Sequence, residues 1–184
     1  MAISTERLAP SGLELALLGF LREQPAHAYE LFQRMEQAGT LGLVWRLKQS
    51  HLYALLARLE AAGYLAGDLV RQGTRPPKRM LTLTAKGRTA FDEWVMAPVA
   101  RGRDFRQEFL AKLYFAASEA PDAVHELVER QRLASRQWLD ALREREARIA
   151  KDQPYAALVL RFRMSQIDAI LAWLEECSDT FNAS

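Results

Sequence analysis

Cysteine is almost missing from this chain. Cys177 is the only one in 184 residues, which excludes an intrachain disulfide and most all-cysteine metal sites. Histidine is scarce too. His27, His51 and His125 lie far apart, and no close histidine–carboxylate cluster accompanies them. No metal and no cofactor are therefore expected. No apolar run is long enough to cross a bilayer, so no membrane partner is expected. The opening MAISTERLAPSG lacks the basic start and apolar stretch of a secretion signal. The expectation is a soluble, cytoplasmic protein. Glycine-rich phosphate loops are missing as well, since neither Ser11-Gly12 nor the segment from Gly39 to Gly42 matches one. With no catalytic motif either, an enzyme is not expected.

What is there is apolar material for a core and a local concentration of positive charge. Hydrophobic residues make up 49% of the chain, enough to build an interior. Lys+Arg 25 against Asp+Glu 23 leaves a net charge of only +2. The segment from Arg71 to Arg88, however, holds Arg71, Arg75, Lys78, Arg79, Lys86 and Arg88 and no acid. Such a patch on a neutral body suits a polyanion, and it equally suits a solvated loop.

The periodicity supplies the frame. Ser11 and Glu14 have the spacing of a capping box ahead of a first helix over roughly 12–23. A second helix is expected over about 26–38, followed by a turn at Gly39 and Gly42. A third is expected over about 49–62, with Leu52, Leu55, Leu56 and Leu59 as its inward stripe and Gly63 as its stop. YLAGDLV (64–70) and MLTLT (80–84) read as two antiparallel strands. Pro76 and Pro77 cannot donate to a ladder, so a loop is expected between them. Thr84 is placed to cap a fourth helix over 85–97. Three helices and a basic hairpin make a winged helix-turn-helix, with the third helix as major-groove reader. After Pro98 the pattern is helical, with helices expected over about 104–117, 122–151 and 155–176. The fold class is thus mostly α: a winged domain over 1–98 with a two-stranded β-wing, then a helical domain over 99–184. The last helix is apolar on more than one side, which suits either a second copy of the chain or a closed monomeric bundle.

Several segments together resemble the PadR family of winged-helix transcriptional regulators. They are ALLGFLREQPAHAYELFQRME, WRLKQSHLYALLARLEAAGYL, the basic wing and LTLTAKGRTAFDEW, and FRQEFLAKLYFA resembles the longer members. The resemblance implies a dimeric repressor of a palindromic double-stranded DNA operator, in some members released by phenolic acids or other small aromatic molecules. It places the reading helix at Lys48 to Arg58, the wing contacts at Arg75, Lys78 and Arg79, and a residue near the DNA backbone at Tyr29. Two departures stand out. Ala28 replaces the usual glycine, and Lys48-Gln49-Ser50-His51 replaces a Ser-Pro-Gly-Ser run, removing a capping serine and an N1 proline.

The candidate DNA-binding residues are Tyr29, Lys48, Gln49, Ser50, His51, Tyr53, Arg58, Arg71, Arg75, Lys78 and Arg79. Gln49 suits an adenine edge and Ser50 either edge, whereas His51 reads as base contact or as a solvent-facing residue. Tyr53 fits a phosphate contact or packing on Leu56, and Arg58 fits the duplex or an ion pair near Glu60. Candidate effector walls are Phe105, Phe109, Tyr114, Trp138 and Trp173, all of which could also be packing. Candidate dimer contacts are Leu127, Trp138, Phe162, Ile167, Ile170, Trp173 and Leu174. Cys177 reads as packing. A helical protein-interaction adaptor that keeps the fold without reading DNA is the competing function.

Overall fold

A computed structural model describes residues 9–182 apart from 23, 38–40, 46, 73, 74, 150 and 151. The chain forms two compact units, Met1–Val95 with Leu110–Lys112, and Met96–Phe109 with Leu113–Ser184. The fold is mostly α with one two-stranded sheet.

In the first unit, α1 spans Gly12–Phe20 and starts on the expected capping box. The Ser11 hydroxyl accepts from the Glu14 N–H (3.4 Å), and the Glu14 carboxylate accepts from the Ser11 N–H (2.9 Å). The helix stops short of residue 23 because the chain is already turning toward Pro25, which keeps its neighbourhood extended. Ala26 was expected to begin the second helix. It is instead strand-like, exchanging both backbone hydrogen bonds with Leu81 (3.2 and 2.9 Å). Helix α2 therefore starts later, at Ala28–Gln37, with His27 Nδ1 accepting from the Glu30 N–H (3.1 Å) as its cap. A short α3, Leu41–Val44, includes Gly42, which was expected in a turn; Gly39 lies outside the described residues.

Helix α4, Gln49–Ala61, buries Leu52, Leu55, Leu56 and Leu59 as the stripe requires. Gly63 ends it at φ +78°, a conformation that costs glycine little and other residues more. Strands β1 (Leu65–Gln72) and β2 (Arg75–Leu83) pair antiparallel, from Leu65 opposite Leu83 out to Gln72 opposite Arg75. The expected loop over the prolines is corrected here, because β2 runs through both. Between the pairs Val70–Lys78 and Gln72–Arg75, one residue of β1 faces two of β2. A bulge leaves residues unpaired, so prolines fit there without costing a ladder hydrogen bond.

Helix α5, Ala85–Met96, begins at a latch. The Thr84 hydroxyl accepts from the Gly87 N–H (3.0 Å) and faces the carbonyls of Gly63 and Tyr64 (2.9 and 3.0 Å), to one of which it donates. That joins the end of α4, the root of the wing and the start of α5. Gly87 permits the contact, since a Cβ there would overlap the Tyr64 carbonyl.

After α5, a single helix expected over 104–117 is instead three pieces. They are a 3₁₀ turn at Gly102–Asp104, a π-helical turn at Phe105–Phe109, and α6 at Leu110–Glu119. Helix α7 spans Pro121–Ala147, with the proline at a first-turn position where its missing N–H is harmless. Helix α8 spans Pro154–Asn182. It continues past the expected 176 because no breaker intervenes and Cys177 and Phe181 still pack inward. One core gathers Val99, Phe105, Phe109, Leu127 and Leu174; a second gathers Leu139, Leu142, Leu160 and Ile167. Gln131 is fully buried in α7. Its Oε1 accepts from the Val99 N–H (2.8 Å) and its Nε2 donates to the Ser135 hydroxyl (3.3 Å). Burial pushes the Cys177 thiol up to about 11, with the Glu176 charge adding to the shift.

Candidate nucleic-acid interface

Because the leucines of α4 face inward, the residues between them face out. Lys48, Gln49, Ser50 and His51 are exposed at its start, and Tyr53 is 44% exposed. The Tyr53 ring is thus open to solvent rather than folded into the core. Lys48 is the N-cap in extended backbone, and no side chain caps the helix. Its carbonyl takes both the His51 and Leu52 N–H groups (3.0 and 3.1 Å). Tyr29, 49% exposed, lies parallel to the His27 ring at 6.5 Å.

Two of the candidate arginines are held by acids. Arg58 Nη2 lies 3.2 Å from the carboxylate of Glu14, which is buried and also closes the α1 capping box. The pairing Arg58 finds is therefore with α1 rather than near Glu60. Arg79 of β2 pairs with Glu60 near the end of α4. Lys78 is exposed and has no side-chain partner among the described residues. Arg71 and Arg75 belong to β1 and β2 by backbone, and their side chains lie outside the described part. Lys86, near the wing root, donates to the Ala62 carbonyl (2.7 Å) and sits 4.2 Å from the centre of the Tyr64 ring. It thereby serves the C-terminal end of α4.

In the second unit the aromatic candidates divide. Phe105 and Phe109 stack at 4.6 Å, and Trp173 meets both edge-on at 5.6 and 6.2 Å. Trp138 packs against the same cluster, while Tyr114 meets Phe115 edge-on at 5.3 Å and stands apart from it. Among the residues singled out for pairing two chains, Leu127, Ile167 and Leu174 are buried inside the unit itself. Trp138, Ile170 and Trp173 are half-buried, and Phe162 is 63% exposed. Tyr155 (78%), Leu158 (64%) and Val159 join Phe162 as exposed apolar residues along α8. Their spacing is that of one helix face; Phe162 was expected there from the sequence, whereas Tyr155 and Leu158 were not singled out.

Residues 17–93 match the profile of the Transcriptional regulator PadR-like family, and residues 105–182 match that of Virulence activator alpha C-term. Residues 17–93 carry a PadR-like regulator domain. Relatives include the negative transcriptional regulator PadR of Bacillus subtilis (strain 168), 28% identical over 138 residues, which are 75% of this chain and 69% of that one. The crystal structure of Bacillus subtilis PadR in complex with operator DNA has a TM-score of 0.46 at 25% identity, covering 93% of this chain and 99% of that one. PadR in complex with p-coumaric acid has a TM-score of 0.42 at 24% identity, covering 94% and 99%. PadR-like proteins are transcriptional regulators, not enzymes. Among the described residues no group of three His, Cys, Asp or Glu could hold a metal ion, and no helix is long and apolar enough to cross a membrane.

Proposed function

We propose that this PadR-like regulator works as a homodimeric repressor that reads a palindromic operator with α4 and grips its backbone with the wing. The observation carrying the proposal is the division of α4 between a buried leucine stripe and an exposed, uncapped start. An uncapped helix N-terminus offers N–H donors and a positive dipole end to a phosphate, and Lys48 stands beside it. Gln49, Ser50 and His51 then face base edges, where each good bidentate contact is worth about 1–3 kcal/mol of discrimination. Tyr29, Tyr53, Arg71, Arg75 and Lys78 serve as phosphate contacts that fix position without reading sequence. Arg58 and Arg79 join them only by leaving Glu14 and Glu60.

Two-fold operators need two reading helices about one helical turn apart. The exposed stripe of Tyr155, Leu158, Val159 and Phe162 is the face we assign to the second copy, with Trp138, Ile170 and Trp173 at its flank. Repression rather than activation follows the negative regulator that is 28% identical. A small aromatic effector is assigned to the second unit, whose ring cluster borders α7 and α8.

Sedimentation of the chain with and without duplex DNA from its own promoter region tests this. The expected result is a dimer that binds one duplex, shifts to monomer when Leu158 and Phe162 are both replaced by glutamate, and loses sequence selectivity in Gln49→Ala. A monomer that ignores DNA would favour the adaptor reading, for which the commitment of Arg58 and Arg79 to carboxylates speaks.

A further inference from the structure

Within the second unit a cavity of about 880 Å3 opens between the segment 100–106, α7 and α8. That is the size range of small-molecule sites. Its floor is apolar: Phe105 is buried, and Trp138 and Ile170 are half-buried. Its rim is cationic, with Arg106, Arg145 and Arg163 standing on three different elements, all exposed. Among the described residues no aspartate or glutamate lines it. Arg101 and Arg103 also reach the cavity, but Asp104 holds both (2.9 and 3.7 Å). Arg106, Arg145 and Arg163 have no side-chain partner among the described residues.

That distribution is uneven. Elsewhere on α7 and α8, Arg130, Arg132, Arg143 and Arg161 each meet a carboxylate, as does Arg148 just past the end of α7. Arg136 on α7 also lacks one and does not line the cavity, whereas Arg145 and Arg163 face the cavity together with Arg106. Like charges around one opening repel, a cost that a bound anion removes. The π-helical turn points the same way. Such turns are uncommon and occur often at functional sites, and this one brings Phe105 and Arg106 to the cavity together.

We infer that the cavity binds an aromatic small molecule carrying at least two acidic groups, its ring against Phe105, Trp138 and Ile170 and its acids on Arg106, Arg145 and Arg163. A single acid would leave part of the rim uncompensated, whereas two or three acids match guanidinium groups spread over three elements. The inference deepens the effector half of the proposed function and does not depend on the DNA half.

Calorimetric titration of the full chain at fixed ionic strength tests it with three probes: naphthalene-1,5-disulfonate, naphthalene-1-sulfonate and inorganic sulfate. The disulfonate should bind at least about tenfold more tightly than the monosulfonate, and sulfate more weakly than either. R145Q and R163Q together should erase the advantage of the disulfonate. R148Q, which removes an arginine paired with Glu144 away from the cavity, should leave it intact. Equal affinities, an advantage that survives R145Q with R163Q, sulfate binding as tight as the disulfonate, or no disulfonate binding at all would each overturn the inference. A chain that binds duplex DNA but not the disulfonate loses this inference alone. A chain that binds the disulfonate but no DNA keeps it and loses the reading of the first unit.

Discussion

The wing offers a prediction in which neighbouring cations behave differently. Lys78 is exposed and has no side-chain partner among the described residues, while Arg79 beside it pairs with Glu60. Each phosphate neutralised by a cation contributes about 0.9 to the slope of log affinity against log salt concentration. Lys78→Ala should therefore flatten the slope by about 0.9, and one such contact accounts for about a 3.5-fold loss of affinity across a fourfold rise in salt. Arg79 reaches a phosphate only by giving up its carboxylate. An exposed pair of this kind is worth at most about 1 kcal/mol, so the competition costs at most about fivefold in affinity. Arg79→Ala should thus cost less than Lys78→Ala, and Glu60→Gln should tighten binding by up to about fivefold and steepen the slope. Fluorescence anisotropy with a labelled duplex over a salt series measures all three. A slope unchanged in Lys78→Ala would refute the phosphate role of the wing. Arg79→Ala costing as much as Lys78→Ala, with Glu60→Gln without effect, would refute the competition.

Three further outcomes concern the frame. Gln131→Leu strips the Val99 N–H of its acceptor in a buried site. It should destabilise the chain by about 1–3 kcal/mol in urea unfolding, and an unmoved midpoint would contradict that. Glycine to alanine inside a helix ordinarily stabilises by up to about 1 kcal/mol. Gly87→Ala should do the reverse, because its Cβ overlaps a backbone carbonyl that cannot rotate away; a higher melting temperature would deny the close approach. Cys177, with its thiol raised to about 11 from an ordinary 9.0, should resist a thiol reagent at pH 8 until the chain unfolds. The thiol ionises more readily once exposed, so its contribution to stability is intact below pH 9 and declines as pH rises toward 11. Complete labelling of the native chain within minutes would contradict the burial.

Much of the frame was legible because it rests on local rules. The stripe of Leu52, Leu55, Leu56 and Leu59, the Ser11–Glu14 box, the Thr84 cap and the Gly63 stop each follow from spacing within a few residues, and each is found. Where partners are remote, local reading failed. Ala26 has helix propensity, yet Leu81 draws it into a bridge. Pro76 and Pro77 break a regular ladder, and only the register of β1 accommodates them in a bulge. The pairs Arg58–Glu14 and Arg79–Glu60 join residues on different elements, which no periodicity announces. Inward stripes on α7 and α8 were visible, but which apolar residues stay inside the unit depends on how the two helices dock. Leu127 and Leu174 went into the unit's own core, and the Tyr155–Phe162 face did not.

The central claim is that two copies of α4 read a symmetric site. Selection of duplexes from a random-sequence pool by the purified chain, followed by sequencing, tests it most directly. The account predicts an enriched motif with two-fold symmetry and half-site centres about 10 base pairs apart or a multiple of that, lost on Gln49→Ala with Ser50→Ala. A pool with no enriched motif, or a single asymmetric half-site bound by one copy, would contradict it.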